Sequence, residues 1–411
     1  MNDRLSSSPT TPAASAPASG SRAQRLPGGA IVALAFSACG TAAAMRVCDP
    51  LLPRIVAEYG VGLASASQVI TYFAIAYGAL QLVYGPVGDR FGKFRVVFWT
   101  CVGCALTSLA CALTPDFHSL LYGRFLAGAT AAAIMPLSMA WIGDVVPYHE
   151  RQPVLAKFLF GNILGFGLGQ LLGGISAQYF DVRFPFYVLA AWFTIAVVLL
   201  YAARSGDPQR AATTRSGRSG TIRGVLRIRW ARVVLVTVFL EGGLLFGSLA
   251  FAVTHVHRAD DVSITLAGVV LMLFAAGGAA YAGLAGWLVH RLGETGLART
   301  GGVLMLFALA TIALASWWPL AVLGSMVAGL GFYMLHNTLQ TNATQMAPEQ
   351  RGSAVSSFAA SLFIGQSIGV AAAGALADRV GTTAVLLIGG VGVCVVGWTF
   401  SRLRAHHAAA S

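Results

Sequence analysis

The sequence predicts an all-α integral membrane protein whose helices form two six-helix bundles. The chain of 411 residues is 56% hydrophobic and only 10% charged, whereas a water-soluble domain carries about a quarter charged residues. About twelve apolar runs are long enough to cross a bilayer, which takes about 20 residues per helix. The second half of the sequence also repeats features of the first. Together these observations indicate paired bundles of membrane-spanning helices.

The apolar runs follow one another along the chain and are separated by short polar segments. They cover residues 29–50, 64–86, 95–114, 119–143, 153–178, 183–203, 231–254, 262–289, 298–317, 319–345, 353–377 and 381–402. The ninth and tenth runs are separated only by Trp317, Trp318 and Pro319. Tryptophan is enriched at the membrane surface, which supports a turn at this point.

Five segments follow from this pattern. Residues 1–27 are rich in Ser, Pro and Ala, a composition typical of disorder, and we expect them to form a cytoplasmic tail. Residues 28–203 form the first bundle and 231–402 the second. The polar segment 204–230 is expected to be a cytoplasmic linker, and 403–411 a C-terminal tail.

Basic residues indicate the orientation of the chain in the membrane. If the N-terminus is cytoplasmic, only Arg46, Arg54, Arg183, Arg258 and Arg379 of the 27 Lys and Arg residues lie on the outer side. One more, Arg124, lies within a span, which leaves 21 on the inner side. Because positive loops stay in the cytoplasm during insertion, both termini are predicted to be cytoplasmic. The short tail, the compact size and the lack of eukaryotic-style sorting signals favour a bacterial inner membrane. We expect a monomer, although no sequence feature indicates the oligomeric state.

An internal repeat relates the two bundles. With a shift of 200 residues, the segment 161–178 aligns with 361–378, and three glycines coincide in each. With a shift of 201 residues, the segment 84–92 aligns with 285–293. The constant offset and order predict duplication of a six-helix unit, a design that transporters build around a site at the membrane midplane.

Several classes of function lack their signatures. The bases lie between apolar runs rather than on one folded face, which argues against nucleic-acid binding. No GxxxxGK[ST], HExxH or GxSxG pattern with plausible partners is found, so we expect neither ATP hydrolysis nor another enzyme activity. Cys101 and Cys104 form a CxxC pair without a second pair or a His cluster. We therefore expect packing thiols, no metal and no cofactor.

Three motifs resemble those of the major facilitator superfamily. GPVGDRFGKFR at 85–95 is similar to its loop after helix 2, although it departs at Lys93 and Phe94. YGRFLAGATAA at 122–132 is similar to its helix-4 motif. GNILGFGLGQLLGG at 161–174 is similar to its helix-5 antiporter motif, with Phe166 and Gln170 in place of prolines. The resemblance implies the twelve-helix fold around a central cavity and favours the drug:proton antiporter-like efflux branch.

The loop at 85–95 is predicted to act as a conformational latch between the bundles. We expect Asp89 to lie against the N-terminus of helix 11 near Ser353, where a helix dipole favours an anion. The second half has His290 at the equivalent position, so the latch is expected to be asymmetric. The alternative is that the loop only supplies topogenic charge. The residues assigned to the latch are Gly85, Gly88, Asp89, Arg90 and Gly92.

Ionisable groups within spans are functional candidates, because placing them in the membrane is costly. Arg46, Asp49, Arg124 and Glu241 are such groups. The resemblance links Arg124 to proton transfer. Our hypothesis is that Asp49 and Glu241 share a proton-coupling role, since burial favours a neutral carboxyl and a nearby guanidinium favours the ionised form. The alternatives are a static Arg46–Asp49 pair at the outer rim and a permanently neutral Glu241.

Polar residues on other spans are predicted to line the substrate cavity. Aromatic rings with a few amides suit a moderately hydrophobic ligand that is cationic or neutral. Interhelical hydrogen bonding is the alternative role for each of them. The candidates are Tyr72, Tyr77, Gln81, Asn162, Gln170, His336, Asn337, Gln340 and Gln366.

The sequence therefore predicts a secondary active transporter. Proton-coupled efflux of a small organic molecule is the favoured function, with the substrate, protons and the lipid bilayer as partners. An uptake symporter or uniporter for a sugar or organic acid remains an alternative with the same fold. A membrane sensor or scaffold is an alternative from another class, although such a protein does not need charged residues in its spans.

Overall fold

The computed structural model describes residues 28–204 and 222–410, and within these ranges it contains helices and no strand. Ten stretches are long and apolar enough to cross a membrane. Two of them, Ile264–Leu314 and Pro348–His407, each contain one glycine with a non-helical backbone. Because each bent stretch consists of two spans, the described residues form the predicted twelve spans.

The first six spans, α1 to α6, form the first bundle. Their helices occupy Gly28–Arg46, Gln68–Phe91, Lys93–Ala112, Phe117–Ala131 together with Ile134–Val145, Tyr148–Tyr179 and Phe184–Ala203. Two short helices, Leu52–Tyr59 and Leu63–Ala66, connect α1 to α2. The predicted span 29–50 thus ends at Arg46, and a turn at 47–51 follows it.

The remaining spans, α7 to α12, form the second bundle. Their helices occupy Arg229–Ala259, 264–292, 294–314, Trp318–Gln345, 351–380 and 382–410. Inside α7, the segment Gly242–Phe246 is a π-helical turn. The short helix Ile222–Arg227 precedes α7, and the 3₁₀ turn Pro348–Gln350 precedes α11.

Both ends of the described chain lie on one side of the molecule, because the chain crosses it twelve times. We call this the terminal side and the other the opposite side. The predicted tail at 1–27 lies outside the described residues, as does 205–221 of the predicted linker. The last helix continues to Ala410, through the segment for which the sequence predicts a tail.

Three pairs of consecutive spans are joined by a single glycine. Gly92 connects α2 to α3 with φ 91°, Gly293 connects α8 to α9 with φ 61°, and Gly381 connects α11 to α12 with φ 84°. Such positive φ values are readily adopted by glycine because it has no Cβ. Gly92 and Gly293 are 201 residues apart, so these corners follow the repeat found in the sequence.

Each bundle has its own hydrophobic core. Buried apolar side chains between Ala30 and Leu200 form one continuous cluster, which a few residues of the second bundle join at the interface. A second cluster lies between Val225 and Phe400. A third, small cluster of Tyr281, Leu297 and Met334 also lies in the second bundle. A main core in each half of the sequence is what duplication of a six-helix unit predicts.

Close backbone contacts repeat in both bundles with the same offset. A methyl group added to Gly165 or Gly169 of α5 would overlap the carbonyl oxygen of Cys39 or Ala43 in α1. In the second bundle, Gly365 and Gly369 of α11 lie in the same way on the carbonyl oxygens of Phe239 and Gly243 in α7. Each of the four residues in the first bundle has its counterpart in the second bundle 200 positions later. Small residues allow such packing in lipid, where no hydrophobic effect drives helices together.

The contact at Gly169 gives a test of this packing. We expect Gly169→Ala to lower the unfolding free energy by about 1–3 kcal/mol, because the added methyl group has no space against the α1 backbone. The matched control is Gly283→Ala in α8, whose added methyl group meets no atom within 4 Å. Thermal unfolding of the purified variants measures both effects. An unchanged melting temperature for Gly169→Ala would contradict the close contact.

Two pseudo-symmetric hydrogen bonds join the bundles on the opposite side. The backbone N–H of Ala64 donates to Asp378 Oδ2 at 3.1 Å, and that of Thr265 donates to Gln178 Oε1 at 3.2 Å. The end of α11 thus caps the start of the segment that leads into α2, and the end of α5 caps the start of α8. Ala64 and Thr265 are 201 residues apart, and Gln178 and Asp378 are 200 apart. Two equivalent hydrogen bonds, one from each half of the repeat, therefore hold the bundles together on the opposite side.

Removing both caps tests their role in closure. Each hydrogen bond contributes about 1 kcal/mol net, so Asp378→Ala with Gln178→Ala should shift the population towards states that are open on the opposite side. Spin labels at Ala57 and Ala259, which are exposed there, report the change as longer distances in pulsed electron paramagnetic resonance. The control is Gln345→Ala, an exposed residue on the terminal side. Distance distributions identical to the wild type would exclude a closing role.

Candidate functional site

Four ionisable side chains predicted from the sequence are buried. Asp49 and Glu241 are fully buried, Arg124 is 1% exposed and Arg46 is 4% exposed. Two of them lie together at the end of α1, one lies in α4 and one lies in α7. The structure thus gives three separate charged positions, each of which has its own partners.

The first position is an ion pair supported by an amide. Arg46 Nη1 lies 3.6 Å from Asp49 Oδ2, and Gln170 Nε2 of α5 donates a hydrogen bond of 3.0 Å to the same oxygen. The turn after α1 brings the carboxylate back towards Arg46, and the glycine contacts between α5 and α1 bring Gln170 within reach. Gln170 therefore acts as a direct partner of Asp49.

A small cavity adjoins this pair at the interface of the bundles. Its volume is about 30 Å³, enough for about two water molecules. Arg46, Asp49, Phe166 and Gln170 line it from the first bundle. The second bundle contributes apolar side chains of α7 and α8, namely Phe246, Leu249, Leu271, Met272, Phe274 and Ala275.

The guanidinium of Arg46 reaches across the interface. Its central carbon lies 4.1 Å from the ring centroid of Phe246 in α7 and 5.1 Å from that of Phe166 in α5. A cation over an aromatic face is electrostatically favourable, and more so where water is excluded. Arg46 is thus held by one aromatic ring from each bundle.

Arg124 has a different environment. Its Nε donates to the carbonyl oxygen of Val69 in α2 at 3.1 Å, and its guanidinium lies 4.2 Å from the ring centroid of Phe73. Its Nη2 has no hydrogen-bond partner within the described residues. A cavity of about 10 Å³, bordered by Cys104, Cys111 and other side chains of the first bundle, lies beside it. Arg124 thus lies inside the first bundle, and among the described residues it forms no direct ion pair with Asp49.

Glu241 is paired with a histidine of the same bundle. His336 Nδ1 of α10 lies 2.9 Å from Glu241 Oε2. The imidazole stacks on Phe332, at 4.8 Å between ring centroids, and contacts the tilted ring of Phe358 at 5.4 Å. The sequence predicts both Glu241 and His336 as candidates, and the structure shows that they form a pair.

The π-helical turn begins directly after Glu241. Such turns contain an extra residue and are frequent at functional sites. Within this turn, Gly242 and Gly243 lie against backbone carbonyl groups of Leu362 and Gly365 in α11. The turn therefore places the carboxyl group inside the bundle while α7 stays in close contact with α11.

Aromatic rings connect the cavity to the Glu241–His336 pair. Phe246 and Phe274, which line the cavity, lie 5.2 and 5.8 Å from Phe332 between ring centroids. Phe332 in turn stacks on His336. The sequence analysis did not select any of these three phenylalanines, because aromatic residues in apolar spans give no signal of their own.

The remaining cavity candidates differ in exposure. Gln81 and Tyr77 are buried on α2, and Tyr77 packs against Phe363 of α11 at 4.5 Å between ring centroids. Tyr72, Asn162 and Asn337 are half-buried, and Gln340 is exposed. Gln366 is fully buried, and neither atom of its amide has a partner within the described residues. These groups do not form one cluster with the cavity beside Arg46.

The loop motif makes its ion pairs within the first bundle. Asp89 is exposed, and its Oδ1 lies 3.6 Å from Lys93 Nζ, which also pairs with Asp144 at the end of α4. Gly88 packs against Leu137 of α4, whereas Gly85 faces Ser356 of α11. Arg90 is exposed, and its guanidinium lies 5.2 Å from the ring centroid of Phe91. The ion pairs that the structure gives this motif therefore connect α2, α3 and α4.

A second network on the terminal side was missed by the sequence analysis. Glu294, at the start of α9, accepts hydrogen bonds from Arg404 Nε at 2.9 Å and from Asn342 Nδ2 at 3.1 Å. Glu294 lies 201 residues after Lys93, so the repeat places an acid where the first bundle has a base. The repeat offset was the signal that could have identified it.

The fold and the buried charges define a class of protein. Two six-helix membrane bundles that enclose ionisable groups at their interface are the architecture of secondary transporters. The profile of the Major Facilitator Superfamily matches residues 34–370 and 258–410. The chain belongs to this superfamily.

Three similar proteins come from bacteria. An uncharacterized MFS-type transporter, YceJ of Bacillus subtilis, is 24% identical over 56% of this chain and 58% of its own length. The quinolone resistance protein NorA of Staphylococcus aureus is 26% identical over 53% of this chain and 58% of its own. The puromycin resistance protein pur8 of Streptomyces alboniger is 31% identical over 42% and 34%. The aligned regions thus span less than two thirds of each relative.

Solved structures support the fold over nearly the whole chain. The POT family transporter PepTSo has a TM-score of 0.74 with 14% identity, covering 93% of this chain and 98% of its own. The nucleoside transporter NupG has a TM-score of 0.72 with 15% identity, covering 92% and 98%. These similarities show a shared fold.

The Glu294–Arg404 pair can be tested by a double-mutant cycle. Both side chains are partly exposed, at 35% and 22%, so we expect a coupling free energy of about 0.5–1 kcal/mol between Glu294→Gln and Arg404→Gln. Thermal unfolding of the two single variants and the double variant gives this value. Additive effects of the two substitutions would show that the pair does not stabilise the terminal side.

Proposed function

We propose that this protein is a proton-coupled exporter of a small organic molecule. The observation that carries the proposal is the burial of two carboxyl groups beside basic side chains. Asp49 lies beside Arg46 at the interface of the bundles, and Glu241 lies beside His336 within the second bundle. Ionisable groups are rare within membrane spans and usually belong to ion or substrate pathways. Similarity to a puromycin and a quinolone resistance protein supports export of an organic molecule.

Proton coupling follows from the partners of the two acids. Arg46 contacts Asp49, and His336 contacts Glu241, so a movement that separates either pair changes how strongly the carboxyl group holds a proton. Asp49 lies at the interface of the bundles, because its partner Arg46 contacts Phe246 of the second bundle. Rocking of the bundles would therefore alter the environment of Asp49, and conversion of the π-helical turn would alter that of Glu241.

The direction of opening follows from topology. The excess of basic residues on the terminal side favours a cytoplasmic location for it. We infer that the chain lies in a bacterial inner membrane with the caps of Asp378 and Gln178 facing outwards. The structure then corresponds to a state closed to the outside, and breakage of these caps would release substrate.

Transport by reconstituted protein tests the proposal. In proteoliposomes with an imposed pH gradient, wild-type protein should accumulate norfloxacin, a quinolone, or puromycin, because two relatives are named for resistance to quinolones and to puromycin. Asp49→Asn and Glu241→Gln should each reduce gradient-driven accumulation by at least about tenfold, because neither amide can exchange a proton at neutral pH. The control is Glu58→Gln, which removes an exposed acid that pairs with Arg54 on the short helix after α1.

The outcomes separate coupling from transport. If both amide variants transport substrate at the wild-type rate, proton coupling through these two acids is rejected. Flux that is independent of the gradient in the wild type would favour a uniporter, and accumulation in the same direction as the protons would favour a symporter. Either result would overturn export by exchange with protons.

A further inference from the structure

The ion pair beside the cavity leaves three buried polar atoms without partners. Arg46 and Asp49 are 3.6 Å apart, beyond hydrogen-bond distance. Arg46 Nη2, Asp49 Oδ1 and Gln170 Oε1 have no hydrogen-bond partner among the described residues. The three side chains are 4%, 0% and 7% exposed, and all three line the same cavity.

These atoms define the chemistry of a complementary ligand. Nη2 is a charged donor, so it needs an acceptor, and a carboxylate is a small anionic group that accepts strong hydrogen bonds from a guanidinium. Oδ1 and Oε1 are acceptors, so they need donors, and an ammonium group supplies three N–H bonds. One anionic group and one cationic group, held close together, would satisfy the whole set.

We propose that the passenger carries a zwitterionic head, with an ammonium and a carboxylate on neighbouring atoms, and an apolar body. The carboxylate binds Arg46, and the ammonium binds Asp49 and Gln170. This inference rests on the proposed transport function and specifies the substrate class of its site. A purely anionic ligand would face the carboxylate of Asp49, and a purely cationic ligand would face the guanidinium of Arg46.

The walls of the cavity determine the body of the ligand. In this closed state the cavity holds about two water molecules, so the five-atom head requires the two bundles to move slightly apart. Beside it lie the rings of Phe166, Phe246 and Phe274 and the side chains of Leu271 and Met272. The rings continue through Phe332 towards His336. An aromatic or branched aliphatic body would pack against this surface, which offers no charge along its length until Glu241.

The same geometry supplies a reason for exchange. The ammonium and a proton compete for the carboxylate of Asp49, because a protonated carboxyl carries no charge to attract the ammonium. Binding of the passenger therefore requires release of the proton, and return of the proton displaces the passenger. Arg46 keeps its charge throughout, so the competition with the proton concerns only the ammonium end of the passenger.

Binding of three matched probes tests the inference. Isothermal titration calorimetry on full-length protein in detergent would compare L-phenylalanine with 3-phenylpropionate, which lacks the ammonium, and with 2-phenylethylamine, which lacks the carboxylate. L-Phenylalanine should bind at least about tenfold more tightly than either, because each analogue leaves a buried charged group unpaired. Arg46→Gln should remove the preference over phenylethylamine, and Gln170→Leu should weaken the preference over phenylpropionate without changing the charge of the site.

The control variant is Arg54→Gln, which removes a half-buried arginine whose pair with Glu58 lies outside the cavity; its affinities should equal those of the wild type. Equal binding of phenylpropionate would assign the site to organic anions, and equal binding of phenylethylamine to cations; either overturns the proposal. If no probe binds while norfloxacin or puromycin is still exported, the zwitterion inference fails and the proposed function stands. If Arg46→Gln does not fold, the Gln170→Leu comparison decides.

Discussion

Close contact between the backbones of α5 and α1 is the constraint on which the site depends. Lipid provides no hydrophobic effect between helices, so packing has to come from surfaces that fit. Glycines at 161, 165 and 169 place one face of α5 on successive carbonyl groups of α1, and Gly173 lies on that of Val47 in the turn that follows. This contact fixes how far α5 is rotated about its axis, and the rotation places Gln170 against Asp49. A substitution that moves these helices apart would therefore disturb the buried ion pair without touching it.

The bundles share this packing, but they do not share their charges. The same glycine-to-carbonyl contacts occur between α11 and α7, shifted by 200 residues. At that offset, however, Asp49 corresponds to Leu249 and Glu241 corresponds to Thr41. Duplication thus gives both bundles the same helix packing. The charged residues of the candidate site occur at positions where the two halves of the sequence differ. The charge reversal between Lys93 and Glu294 follows the same principle on the terminal side.

The sequence predicts the spans, the two bundles and the repeat because each depends on composition and spacing along the chain. It also selects Asp49, Glu241, Gln170 and His336, since polar groups in apolar runs are conspicuous. It does not predict which of them meet. A span that is apolar on all sides has no amphipathic pattern to show which face it turns to a neighbour. The same gap explains why the ion pair of Asp89 with Lys93 was not predicted. It also explains why the phenylalanines beside Arg46 were not predicted, since they look like lipid-facing residues.

The corners made of one glycine have a mechanical consequence. Between α2 and α3, between α8 and α9, and between α11 and α12, the chain turns within a single residue, which has only two freely rotating backbone angles. Such a short connection allows little independent movement, so a tilt of one helix also tilts the helix that follows it. α2 and α11, which meet across the interface, are each joined to the next helix in this way. Any opening on the opposite side must therefore swing peripheral helices through the lipid, and the resistance of the surrounding bilayer becomes part of the work of each transport cycle.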